Sequence, residues 1–120
     1  TFGHNVAGVM GTDSNLIRKM FNAGEKTHER IWELPLYEEY EKLMKSEVAD
    51  IKNIGAARQA GTIMGGIFLK KFVSNKYPWA HLDIAGTAMV STEIAEYIPK
   101  DATGLGVRLF VELLRNFHSN

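Results

Sequence analysis

Apolar and polar positions follow two different periods along the chain, and each period marks a different element. Val6-Ala7-Gly8-Val9-Met10 is a continuous apolar run, so residues 5–10 read as a short strand buried on both faces. Thr12-Asp13-Ser14-Asn15 follows, a cluster whose side chains accept from free backbone N–H groups, and a helix is expected to start there. Beyond it Leu16, Met20, Ala23, Thr27 and Ile31 recur at helical spacing, with Ile17, Phe21, Gly24 and His28 beside them. Arg18, Lys19, Asn22, Glu25, Lys26, Glu29 and Arg30 take the opposite side. This predicts one amphipathic helix reaching as far as Ile31. The small Ala23 and Gly24 on its inner side predict close packing on a sheet.

Pro35 suits the first turn of a second helix, where its missing N–H would be unpaired in any case. Leu36, Tyr40, Leu43 and Met44 form the predicted inner side. Glu38 with Lys42, and Glu41 with Lys45, are i,i+4 pairs contributing ~0.2–0.5 kcal/mol each, so the Glu38-Glu39-Glu41 cluster reads as a solvated helix side. Residues 48–61 are small and loop-like. A third helix, from about Thr62 to Val73, is apolar nearly all round through Ile63, Met64, Ile67, Phe68, Leu69 and Phe72, the pattern of burial between layers. Gly65 and Gly66 each cost about 1 kcal/mol there relative to alanine, which points to a backbone that must pack closely. Residues 79–84 read as a second buried strand, and 89–103 as a long surface loop holding Pro99. A last helix opens at Gly104, with Val107, Phe110, Leu113, Leu114 and Phe117 inward.

Helices separating short apolar strands predict an α/β fold. The expected architecture is part of a three-layer α/β/α domain, a mixed sheet covered by helices, with about two strands and four helices in this chain. Two strands are too few to cover that much apolar helix surface, so residues 1–120 are expected to belong to a larger domain. The opening Thr1-Phe2-Gly3-His4, which runs at once into an apolar strand, points the same way.

Composition changes this picture mainly by exclusion. With 45% hydrophobic and 23% charged residues the chain is ordinary globular sequence rather than disordered. A formal net charge of zero gives no electrostatic case for nucleic acid or an acidic membrane. The absence of cysteine removes disulfides and thiolate metal sites. No uninterrupted apolar run approaches membrane-spanning length, so a cytoplasmic protein is expected.

Candidate chemistry is sparse. Of the histidines His4, His28, His81 and His118, only His81 has a carboxylate, Asp83, on the same predicted strand face. Two ligands are too few for a zinc site, so a partly buried, hydrogen-bonded pair fixing the strand end fits better than metal ligation. No His-Glu-x-x-His helix is present, and no Gly-x-Ser-x-Gly elbow surrounds Ser14, Ser46, Ser74, Ser91 or Ser119. Gly104-Leu105-Gly106 fails the dinucleotide pattern at Leu109, and Gly61 to Gly66 lacks the Lys-Ser/Thr of a phosphate loop. Arg58 could bind an anion ahead of a helix, but anchoring its own loop is the simpler role.

Three stretches occur together and in order. They are Trp32-Glu33-Leu34-Pro35-Leu36 with Glu39-Tyr40; Ser46-Glu47-Val48-Ala49-Asp50-Ile51-Lys52-Asn53-Ile54-Gly55 with Arg58, Ala60-Gly61-Thr62-Ile63 and Phe68-Leu69; and Trp79-Ala80-His81-Leu82-Asp83-Ile84-Ala85-Gly86-Thr87-Ala88 with Tyr97, Pro99-Lys100 and Ala102-Thr103-Gly104. This ordered set resembles the C-terminal catalytic region of the leucyl aminopeptidase (cytosol aminopeptidase) family of two-metal peptidases. Gly55-Ala56-Ala57-Arg58-Gln59 is looser than the family's Gly-Gly-Arg pattern, and Met89 stands where many bacterial members have tryptophan.

The resemblance implies that residues 1–120 are the C-terminal portion of a catalytic domain that hydrolyses N-terminal, preferably leucine-like residues from peptides. It implies two divalent metal ions, zinc or manganese, which polarise the scissile carbonyl and activate water in the intact enzyme. It also implies a hexamer, with peptide substrates and the rest of the catalytic domain as partners. The family's metal ligands and catalytic lysine and arginine lie upstream of the matched region, and its Asn-Thr-Asp-Ala-Glu-Gly-Arg motif does not occur here. The resemblance therefore carries over no catalytic residue and no metal ligand, and this chain alone is expected to be inactive. What it carries over is a pocket wall for the substrate's N-terminal side chain, at Ala85 and Ala88. His81 and Asp83 match no family ligand and are expected to be a structural pair near that site. The alternative is a stand-alone, non-catalytic assembly module.

Overall fold

The computed structural model describes residues 2–50, 61–90 and 101–117; Arg58 and its neighbours lie outside the described residues. Strand β1 (Ala7–Gly11) is the centre of a three-stranded sheet. It runs parallel to β2 (Ile31–Glu33), with Ala7 opposite Ile31, and antiparallel to β3 (Ala80–Asp83), with Met10 opposite His81. The sheet is mixed, as expected. Strand alternation sends Ala7 and Val9 to one core and Met10 to the other, so the strand reads as unbroken apolar sequence.

Helix α1 (Ser14–Thr27) starts where Asp13 Oδ1 accepts the Leu16 N–H at 2.8 Å. It does not reach Ile31. His28 takes the left-handed conformation, φ 57°, and the chain turns into β2, so Ile31 is buried in the sheet rather than on the helix. Helical spacing and the start of a strand both put an apolar residue at 31, and a histidine rather than a glycine makes the reversal. The two-strand expectation is corrected accordingly. Two further strands, β4 (Met89–Val90) and β5 (Asp101–Ala102), pair antiparallel within the stretch expected as a loop. Such short strands carry no readable period.

Helix α2 (Glu38–Asp50) begins after Pro35 rather than at it, with Glu38, Glu39 and Glu41 in the first turn where the helix dipole favours them. It also extends into the stretch expected as a loop at 48–50. Helix α3 (Gly61–Lys70) meets α2 through Glu41 and Lys70, 3.6 Å apart. Met10, Met44, Ile63, Met64 and Ile67 form the core between them and the sheet, with Leu34, Leu36, Tyr40 and Leu43 packed against it. Gly66 lets the helix approach the sheet closely, since a Cβ would lie 2.7 Å from Met10 Sδ and the methionine would have to shift; Gly65 faces open space. The outer side of α3 exposes Phe68 and Leu69, and Phe72 beyond it is 76% exposed, so among the described residues α3 is covered on one side only.

Helix α4 (Val107–Arg115) packs on α1. Leu109 and Leu113 point inward, joining Ala7, Val9, Ile17, Met20, Ala23 and Ile31 in the other core. Of the expected inward set only Leu113 is buried; Val107, Phe110, Leu114 and Phe117 are exposed. Both Leu109/Leu113 and Phe110/Leu114 satisfy i,i+4 spacing, so periodicity alone could not choose. A long-range cap chooses. Glu29, only 3% exposed, accepts from the N–H groups of Gly106 at 2.7 Å and Leu109 at 3.1 Å, with Arg108 Nε 3.5 Å from its other oxygen. The residue expected on a solvated helix side is thus the N-terminal cap of α4, whose own cap position, Gly106, has no side chain to serve.

Candidate substrate-pocket wall

Strand β3 delivers the chain into a tight turn of small residues. Ile84 O accepts from Thr87 N at 3.0 Å and from Ala88 N at 2.8 Å, one helix-like turn. Positions three apart in such a turn are neighbours on one side, which brings Ala85 and Ala88 together. Ala85 is exposed and Ala88 half-buried. Gly86 lies between them, and Thr87, 2% exposed, points into the protein and donates its Oγ1–H to Ile84 O at 3.2 Å.

The turn is tied down from three directions. Asp83 Oδ1 accepts the Ala85 N–H at 3.1 Å, closing the strand end. On the β5 side Thr103 donates its hydroxyl to Thr87 O at 2.6 Å and its N–H to Ala88 O at 2.9 Å, while its Oγ1 accepts the Leu105 N–H at 3.3 Å. From the start of the chain, His4 Nδ1 lies 2.7 Å from Gly86 O. Thr103 belongs to the third stretch that carries the family resemblance, but nothing in the spacing of His4 or Thr103 marks either as a partner of this turn.

His81 and Asp83 are both half-buried, two residues apart on one strand face. Their contacts differ. The His81 ring stacks on Trp79, centroids 6.2 Å apart and planes within 11°, and its Cδ2 is 3.7 Å from where a Gly66 Cβ would be. Asp83 instead serves the turn. Depressions elsewhere on the described surface gather no comparable chemistry. One between α1 and α4 is lined by Lys19, Lys26 and Glu112, with Lys26 and Glu112 paired at 3.5 Å. Another, beside β2, is lined by Ile17, Phe21 and Trp32, the two aromatic rings edge-to-face at 6.2 Å.

The profile of the cytosol aminopeptidase family, catalytic domain, matches residues 1–111. The chain belongs to the cytosol aminopeptidase family. It is 49% identical over 115 residues to a probable cytosol aminopeptidase of Protochlamydia amoebophila, covering 96% of this chain and 23% of that protein. It is 54% identical over 113 residues to one of Geobacter sulfurreducens, covering 94% and 22%. Among solved structures it is similar to the bottromycin maturation enzyme BotP, with a TM-score of 0.75 and 28% identity over 96% of this chain and 25% of that one. A structure of BotP in complex with Mn gives 0.72 and 28%, over 92% and 24%. The chain thus spans under a quarter of the length of these curated relatives.

Cytosol aminopeptidases are metal-dependent, so the fit of the residues present to a metal matters. Among the described residues no group of three or more His, Cys, Asp or Glu side chains is gathered that could hold an ion. His81 and Asp83 are two groups, short of the three protein ligands a catalytic zinc takes. The described residues do not fit the family's metals. No helix among them is long and apolar enough to cross a membrane.

Proposed function

We propose that this chain is part of an aminopeptidase that removes N-terminal, preferably leucine-like residues from peptides, and that it supplies sheet, covering helices and one wall of the pocket for the leaving residue's side chain. The observation that carries this reading is the turn at 84–88. There Ala85 and Ala88 sit side by side on a backbone tied down by Asp83, Thr103 and His4, in a chain of the aminopeptidase family. Two methyl groups at the wall leave room for a Leu- or Met-sized side chain, whose burial is worth ~1.5–3 kcal/mol.

Two divalent ions, zinc or manganese, serve the intact enzyme in this reading and are held by residues other than those described here. The manganese complex of BotP supports that metal for a similar protein. When bound, such ions supply Lewis-acid polarisation of the scissile carbonyl. The residues of this chain bind and orient the apolar side chain and exclude water from it. The exposed outer side of α3 supports the rest of the catalytic domain as its cover, and the family resemblance supports a hexamer acting in the cytosol. A non-catalytic assembly module is not favoured, because the relatives are named as aminopeptidases.

Ala88→Trp in the intact aminopeptidase tests the wall. The expected result is a fall in leucyl-substrate kcat/KM of about tenfold or more, equivalent to ~1.4 kcal/mol, with a smaller loss for glycyl substrates. Unchanged kinetics with both would remove the pocket assignment.

A further inference from the structure

The turn that carries Ala85 and Ala88 depends on a residue far away in sequence. A carbonyl oxygen only accepts, so the 2.7 Å contact between His4 and Gly86 O requires the proton on Nδ1. Two glycines make the contact possible. Gly3 has φ 73°, the left-handed conformation that sets the direction in which the chain presents His4. Gly86 could not carry a side chain, since a Cβ there would lie 2.5 Å from Gly3 O. Backbone therefore meets backbone at Gly3 and Gly86, and the imidazole closes the junction.

We propose that His4 is a positioning residue for substrate selectivity: by donating Nδ1–H to Gly86 O it fixes the turn that sets Ala85 and Ala88 at the distance an apolar side chain needs. This rests on the reading of that turn as the pocket wall. The bond is open to water, so it adds little to stability and acts through geometry. Thr103 holds the Thr87 and Ala88 carbonyls from the far side, which leaves Gly86 as the point where the turn can swing. A gap of 0.5–1 Å forfeits roughly a quarter to a half of each dispersion contact, so a small displacement of the wall penalises a leucyl side chain far more than an alanyl one.

The test compares leucyl and alanyl p-nitroanilides in the intact aminopeptidase. His4→Ala and His4→Leu are expected to raise the leucyl KM by about threefold to tenfold with kcat nearly unchanged, eroding the leucyl-over-alanyl preference. His4→Asn, whose amide N–H can donate to the same carbonyl, restores most of that preference. Gly86→Ala, which forces the turn away from Gly3, reproduces the loss with His4 intact. An unchanged preference in His4→Ala, while Ala88→Trp abolishes it, overturns the role of His4 and leaves the pocket wall standing. If Ala88→Trp leaves the preference unchanged, the wall itself is wrong. Equal behaviour of His4→Asn and His4→Leu also overturns the proposal, because the bond would then not matter. Should His4→Ala not fold, the Asn and Leu variants with Gly86→Ala carry the same decision.

Discussion

The two faces of the sheet are closed in different ways. Towards α1 and α4 the aliphatic core is completed by a single buried carboxylate, Glu29, which ties the α1–β2 turn to the start of α4 across 77 and 80 residues of sequence. Towards α2 and α3 the core is methionine-rich, through Met10, Met44 and Met64, and closes by side chains that adapt their shape. The first face is finished by polar specificity. The second is finished by packing, and its outer helix still presents Phe68 and Leu69 to solvent, with Phe72 exposed just beyond it. It follows that α1 and α4 are oriented by residues of this chain, whereas α3 presents a second apolar side that the described residues do not cover.

Breaking the first face is expected to have the largest effect. Glu29→Ala leaves two buried N–H groups without an acceptor and should destabilise the chain by about 3 kcal/mol in urea unfolding, with Glu29→Gln losing about half as much. Gly24→Ala comes next. Its Cβ would stand 2.6 Å from the Glu29 carbonyl oxygen, a backbone atom that cannot swing aside, so a loss of about 2 kcal/mol is expected despite the better helix propensity of alanine. The smallest effect has the opposite sign. Gly65→Ala on α3 meets nothing within 4 Å and should stabilise by about 0.5–1 kcal/mol in the same measurement.

The same contrast explains what was legible in the sequence. The α1 N-terminus was readable because Asp13 acts locally, and the inner side of α2 because Tyr40, Leu43 and Met44 recur at helical spacing. The end of α1 was not, because His28 rather than glycine takes the left-handed conformation and Ile31 satisfies both periods. The orientation of α4 was hidden for a related reason: its cap lies on another element, and the apolar stripe formed by Val107, Leu109, Phe110, Val111, Leu113 and Leu114 is wider than the side that is buried. Within the candidate site, Ala85 and Ala88 were reached through resemblance alone. The ties that hold them, from His4 and Thr103, depend on strand pairing between distant segments, which no local pattern encodes.

The central proposal is that residues 79–88 frame a site whose metals are held by other residues. The most direct measurement is the metal content per subunit of the intact aminopeptidase carrying His81→Gln and Asp83→Asn together, determined by elemental mass spectrometry. Asparagine can still accept the Ala85 N–H, so the turn is kept. The account predicts the same number of ions as in the unaltered enzyme; loss of an ion would contradict it and make the pair a metal ligand set.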